Sequence, residues 1–191
     1  IAQYKNIPVP TSYMAYRSDY NFIGEYDYGK KAGLLHVADH HIAPGKKQWT
    51  WGCGEFGKAW DRALTDEDGP YIELMTGCFT DNQPDFTWIQ PQETKNFKQY
   101  FMPYKGVGRV GNATKEAAVS LTDSGDGHAV LKVYTTGVCK DTRITVKQKE
   151  TVLYEKTADL SPEECFEAIF AVDGNIEDCA VTVMQEAQIL V

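Results

Sequence analysis

All four tryptophans of the chain, Trp49, Trp51, Trp60 and Trp88, fall between Ala43 and Glu93, among Asp61, Asp66, Glu67, Asp68, Glu73, Asp81 and Asp85. Indole faces beside carboxylates are the surface chemistry of a saccharide site. The apolar face of a pyranose stacks on a ring, while its hydroxyls need several fixed polar partners. By that chemistry Trp49, Trp51 and Trp88 are candidate stacking platforms, with Glu73, Asp85, His40 and Arg62 as candidate polar contacts. The same composition describes a Trp-rich core with a solvated acidic rim.

Glu73 is the candidate catalytic carboxylate. In YIELMTG it sits mid-strand, on the face opposite Ile72 and Leu74. A carboxylate in an apolar strand costs burial energy unless it is paired or faces a cavity. Catalytic carboxylates occupy such places, because partial desolvation raises a carboxyl pKa toward the working range. A solvent-facing glutamate on a half-exposed sheet is the alternative. For glycoside cleavage a second carboxylate must lie about 5–9.5 Å away, the range spanning retaining and inverting geometries. Asp61, Asp66 and Asp85 are the candidates.

Other motifs carry less. Asn82, Gln83 and Asp85 in NQPDF suit a polar rim, although Asn and Asp also favour loops for conformational reasons. His36, His40 and His41 cluster in HVADHH; on a strand the adjacent pair would point to opposite faces, so structural hydrogen bonding is expected and no metal is assigned. TDEDGP at 65–70 lacks the ligand alternation of a calcium loop. GVGRVG at 106–111 lacks the Lys-Ser/Thr of a phosphate loop. No GxSxG or catalytic cysteine motif is visible, and no cofactor is expected.

These residues must be positioned mainly by strands. KAGLLHVADHH, YIELMTGCF and NFKQYFMPY are rich in β-favouring residues and bounded by Gly, Pro, Asn or Asp. TDNQPDFTWIQPQET reads as a long ordered loop, and GEFGKAWDRAL as the good helix candidate of the first half. Glycine-rich KGVGRVGNATKE marks a boundary near 105–116. Six or so short strands follow, with Leu131 and Val133 alternating against Val130, Lys132 and Tyr134, as in a small immunoglobulin-like sandwich. SPEE at 161–164 reads as a turn.

The chain of 191 residues is 42% hydrophobic and 24% charged, which is globular composition. Its net charge of −8 argues against nucleic acid or an anionic membrane as partner. No apolar run approaches a membrane span and no signal peptide opens the chain. The start at Ile1, not Met, reads as a segment of a longer protein. Five widely spaced cysteines fit buried thiols better than a zinc site or a disulfide scaffold, and leave the compartment open.

The long motifs HVADHHIAPGKKQWTWG, WDRALTDEDGPYIELMTG and TDNQPDF resemble the uncharacterised bacterial domain family DUF5107, often found in long proteins with tetratricopeptide repeats. The resemblance covers roughly residues 20–112. The strand with its central glutamate, the Pro/Asn-rich loop and the Pro-x-Glu-Thr turn are similar to the late part of galactose mutarotase-like β-supersandwich domains. That resemblance implies that Glu73 matches the base that takes the anomeric proton. It also implies that the acid histidine comes from an earlier half, upstream of this chain, so the fragment alone is expected to be inactive. Gln92 stands where the mutarotase turn has glycine.

The expected fold is all-β: the C-terminal part of a mutarotase-like supersandwich over 1–112, then an immunoglobulin-like sandwich over 113–191. The expected role is carbohydrate recognition within a larger carbohydrate-active protein of the bacterial cytoplasm or periplasm. The alternatives are an epimerase or glycoside hydrolase using Glu73, or a scaffold docking neighbouring domains of the parent protein. Half a supersandwich would expose a sheet edge and an apolar face, so a homodimer or rearranged first strands are expected.

Overall fold

The structure, a computed structural model, describes residues 3–15, 18–78 and 88–191. It is all-β, with one α-helix among the described residues. The chain divides into two compact units, one of Ile1–Ile23 with Ala38–Gln99, the other of Gly24–Val37 with Tyr100–Val191.

A 3-10 turn at Tyr4–Asn6 precedes β1 (Thr11–Met14). Strands β2 (Phe22–Asp27) and β3 (Ala32–Ala38) follow as a hairpin, in whose turn Asp27 Oδ1 accepts the backbone N–H groups of Gly29 and Lys30. Next come β4 (Lys47–Thr50), helix α1 (Glu55–Leu64), β5 (Ile72–Met75) and β6 (Gln99–Lys105). In the first unit β1, β4 and β5 form an antiparallel sheet in the order β1-β4-β5. A second three-stranded sheet has the order β2-β3-β6.

The expected strand KAGLLHVADHH stops at Ala38. Asp39 ends it: its carboxylate accepts the His41 N–H, and its carbonyl accepts those of Ile42 and Ala43. A short acidic side chain that bonds the backbone two residues on competes with the sheet ladder and turns the chain. His40 and His41 are therefore on a turn and not on a strand.

The rest of the second unit is a sandwich. Its strands are β7 (Asn112–Ala113), β8 (Ala117–Asp123), β9 (His128–Thr135), β10 (Cys139–Gln148), β11 (Thr151–Leu160), β12 (Phe166–Ala171), β13 (Cys179–Gln185) and β14 (Gln188–Ile189). One sheet has the order β12-β9-β8-β7, the other β11-β10-β13-β14. The chain crosses between sheets from β9 to β10, β11 to β12 and β12 to β13, as an immunoglobulin-like sandwich does. Alternation supplies the core: Ala129, Leu131 and Val133 of β9 meet Ile144 and Val146 of β10 and Val183 of β13. Each of the leucine, isoleucine and valine side chains contributes about 1.5–3 kcal/mol by leaving water. The SPEE stretch is a turn closed by a bridge between Ser161 and Glu164. All five cysteines are free thiols; Cys139 lies opposite Leu160 and Cys179 opposite Gln148, which puts them at opposite ends of β10.

Candidate functional site

Strand register builds the site. Across the β1-β4-β5 sheet, Ser12 lies opposite Trp49, and Trp49 opposite Glu73. Residues directly opposite in antiparallel strands point to one face with Cβ atoms about 4.5–5.5 Å apart. Trp49 and Glu73, 24 positions apart in sequence, are thus immediate neighbours, both half-buried. No side chain among the described residues hydrogen-bonds the Glu73 carboxylate.

Trp51 continues the Trp49 face, two residues on. The two indoles meet edge to face at 5.3 Å between centroids. Helix α1 then lays Trp60 flat on Trp51, at 4.2 Å and 10° between ring planes, and brings Phe56 to 6.2 Å from Trp51 and 6.4 Å from Trp60. One face of Trp51 is therefore taken by Trp60. The outward rings of the cluster are Trp60, 38% exposed, and Phe56, 59% exposed.

Glycines allow this approach. A Cβ on Gly57 would lie 1.7 Å from the Gly52 carbonyl oxygen, and one on Gly52 2.7 Å from the Val9 backbone. Gly52 also needs its positive φ of 85°. The segment before β1 clasps this junction. Backbone N–H groups of Cys53 and Gly54 donate to the carbonyls of Ile7 and Pro8, and the Tyr4 hydroxyl contacts Gly52 O at 2.8 Å and Asp61 Oδ2 at 3.1 Å. Burial, reinforced by Asp61, pushes the Tyr4 phenol up to about 12. The other oxygen of Asp61 accepts the Tyr71 N–H at 3.1 Å. Both oxygens of Asp61 thus tie α1 to its surroundings.

The remaining candidates are dispersed. Arg62 is exposed on the arc of α1 shared with Glu55 and Lys58, not the arc of Phe56 and Trp60, which are one helical turn apart. His40 is held by Asn21, whose Oδ1 lies 2.9 Å from the His40 backbone nitrogen and 2.8 Å from Nδ1. Trp88 is 71% exposed, and no ring contact of the Trp51 cluster includes it. Asp66 is exposed after α1. Asp85, like Asn82 and Gln83, lies outside the described residues. His36 is fully buried on β3 beside Phe101.

Sequence reading passed over Phe56 and Trp60 as platforms. Their signal was present, since aromatic residues four apart share one helix face just as Trp49 and Trp51, two apart, share one strand face. In the Pro-x-Glu-Thr turn, the Glu93 N–H donates to Gln90 O, and Gln92 takes φ 67°. Pro91 at the second position and a left-handed third residue make this the kind of turn that favours glycine where Gln92 stands.

Comparison with known proteins places both parts of the chain. The family described as "YphG-like protein, second domain" matches residues 112–191. Among solved structures, a TPR-domain containing protein from Parabacteroides distasonis is similar over 53% of this chain, at 30% identity and a TM-score of 0.44. This chain spans 17% of that protein's chain. The domain of unknown function DUF5107 matches residues 1–107 of the 191. With more than half its length so matched, the chain belongs to the DUF5107 family.

Proposed function

We propose that the face of the β1-β4-β5 sheet carrying Trp49 and Glu73, with α1 beside it, recognises a carbohydrate. Trp60 and Trp49 supply ring faces and Glu73 the principal hydrogen-bonding group. The observation that carries this reading is the cross-strand opposition of Trp49 and Glu73 beside an aromatic cluster whose outer rings reach solvent. A stacked and T-shaped cluster holds its rings without mobile side chains, so little ordering entropy opposes a sugar docking on them. The place of Glu73 on β5 accords with a mutarotase-like origin for this part. Asp61 has both oxygens committed to Tyr4 and Tyr71, which speaks against it as the second carboxylate of a cleavage reaction.

The test is tryptophan fluorescence of the intact chain against galactose, glucose, mannose, N-acetylglucosamine and their oligomers, in wild type, Trp60→Ala and Glu73→Gln. Saturable binding weakened roughly tenfold by either change, about 1.4 kcal/mol, supports the reading. A second reading rests on α1 alone, where Phe56, Trp60 and Leu64 form an exposed stripe at four-residue spacing, Leu64 being 44% exposed. Such a stripe fits docking of a neighbouring domain of the parent protein. Silence across the saccharide panel, with an adjoining segment of the parent protein shielding Trp60, would replace the first reading by the second.

A further inference from the structure

The turn after β3 collects three metal-ligating side chains in consecutive positions. Asp39, His40 and His41 each offer a donor atom, and these atoms lie within 4.8 Å of one another. The two imidazoles overlap, with ring centroids 3.9 Å apart and planes 37° from parallel. Protonated imidazoles would repel at that distance, whereas neutral ones can share a cation.

Hydrogen bonding fixes which nitrogen of each ring is available. Asn21 Oδ1 accepts the His40 backbone N–H at 2.9 Å; a backbone N–H only donates, so the side-chain atom facing it is the oxygen. The same oxygen lies 2.8 Å from His40 Nδ1, which must therefore carry the proton. His41 repeats the pattern on Asp39 Oδ1, with its backbone N–H at 2.9 Å and Nδ1 at 3.1 Å. In each neutral ring the lone pair then resides on Nε2, which has no hydrogen-bond partner among the described residues. Metal-binding histidines show this arrangement, with one nitrogen donating to a carboxylate or carbonyl and the other facing the ion. The backbone and imidazole bonds from His41 also hold the Asp39 carboxyl below its ordinary range.

We infer that His40 and His41 form a binding site for a borderline divalent cation of the zinc, nickel or cobalt type. His40 Nε2 and His41 Nε2 are the ligands, and Asn21 and Asp39, which accept the two Nδ1–H groups, are positioning residues. Two imidazole nitrogens suit these ions better than magnesium or calcium, which take oxygen ligands. Tetrahedral zinc needs its nitrogen ligands roughly 3.3 Å apart given bonds of about 2.0–2.1 Å, a spacing within reach of two rings whose centroids lie 3.9 Å apart, and water completes the shell. The site is independent of the tryptophan cluster and of its assignment to sugar.

The experiment is titration of the intact chain with zinc chloride against a chromophoric chelator, with cobalt chloride as the spectroscopic probe. One equivalent should bind, and cobalt should show visible bands without the near-ultraviolet charge-transfer band of thiolate ligation. Affinity should fall at least tenfold in His40→Ala and His41→Ala, fall about tenfold in Asn21→Ala, and stay unchanged in His128→Ala, which removes another exposed histidine bonded to an aspartate. In wild type, zinc should shift the Nε2 resonances of two of the four histidines; this readout needs no variant to fold. Equal affinity in all variants, a thiolate band, or zinc shifts at His36 or His128 would overturn the site.

Discussion

Lys46 carries its amine into a place where the nitrogen is shielded from water and meets no acceptor among the described residues. Burial lowers its pKa, with Asp39 acting in the opposite sense. Because the folded value lies below the unfolded one, this group's contribution is fullest above the ordinary lysine pKa of about 10.4 and is lost as pH falls through the folded value. At neutral pH the lysine is therefore a cost. Lys46→Met keeps a similar stem and removes the unsatisfied group, so urea unfolding at pH 7 should show a gain of about 1–3 kcal/mol. The same variant should lose the wild-type rise in stability toward alkaline pH. Residue chemistry of this kind was not legible beforehand, since the sequence shows Lys46 as one of two lysines after a Pro-Gly turn. Trp49 and Glu73 were legible as types, whereas their pairing needed the register of β4 on β5.

Helix α1 illustrates what local pattern can and cannot tell. GEFGKAWDRAL reads as a helix, and α1 covers Glu55–Leu64. Alternation likewise marks β9 and β10 with their buried faces. The purpose of the glycines in WGCGEFG was hidden, because it depends on Val9, Pro8 and Gly52, partners remote from α1 or outside its own hydrogen-bond ladder. The hold on His40 was hidden for a similar reason, since it comes from Asn21, far back in the chain. Gly57→Ala is the element-scale test. In a free helix alanine would be favoured by about 1 kcal/mol, yet here its Cβ would strike the Gly52 carbonyl at 1.7 Å. The helix must shift, so thermal unfolding should show a loss of about 2 kcal/mol or more. Far-ultraviolet circular dichroism should lose the exciton couplet of the Trp51–Trp60 stack. An unchanged spectrum would mean that the stack does not depend on this close approach.

Across the molecule, two units differ in how their sheets are supported. The sandwich has ten-residue strands β10 and β11 and a core shared by both sheets. The β1-β4-β5 sheet has strands of four residues each. Amides that open only with the sandwich core should exchange last. Hydrogen exchange is therefore expected to be slowest in β9, β10 and β13, and faster in β1, β4 and β5. The net charge of −8 favours a neutral sugar over a polyanion. The four indole N–H groups give four separate probes in a nitrogen-15 correlation spectrum of the intact protein. Titration with the tightest saccharide of the panel should move the Trp49, Trp51 and Trp60 signals together and leave Trp88 in place. Four unmoved signals at saturating sugar, or movement of Trp88 alone, would contradict the account.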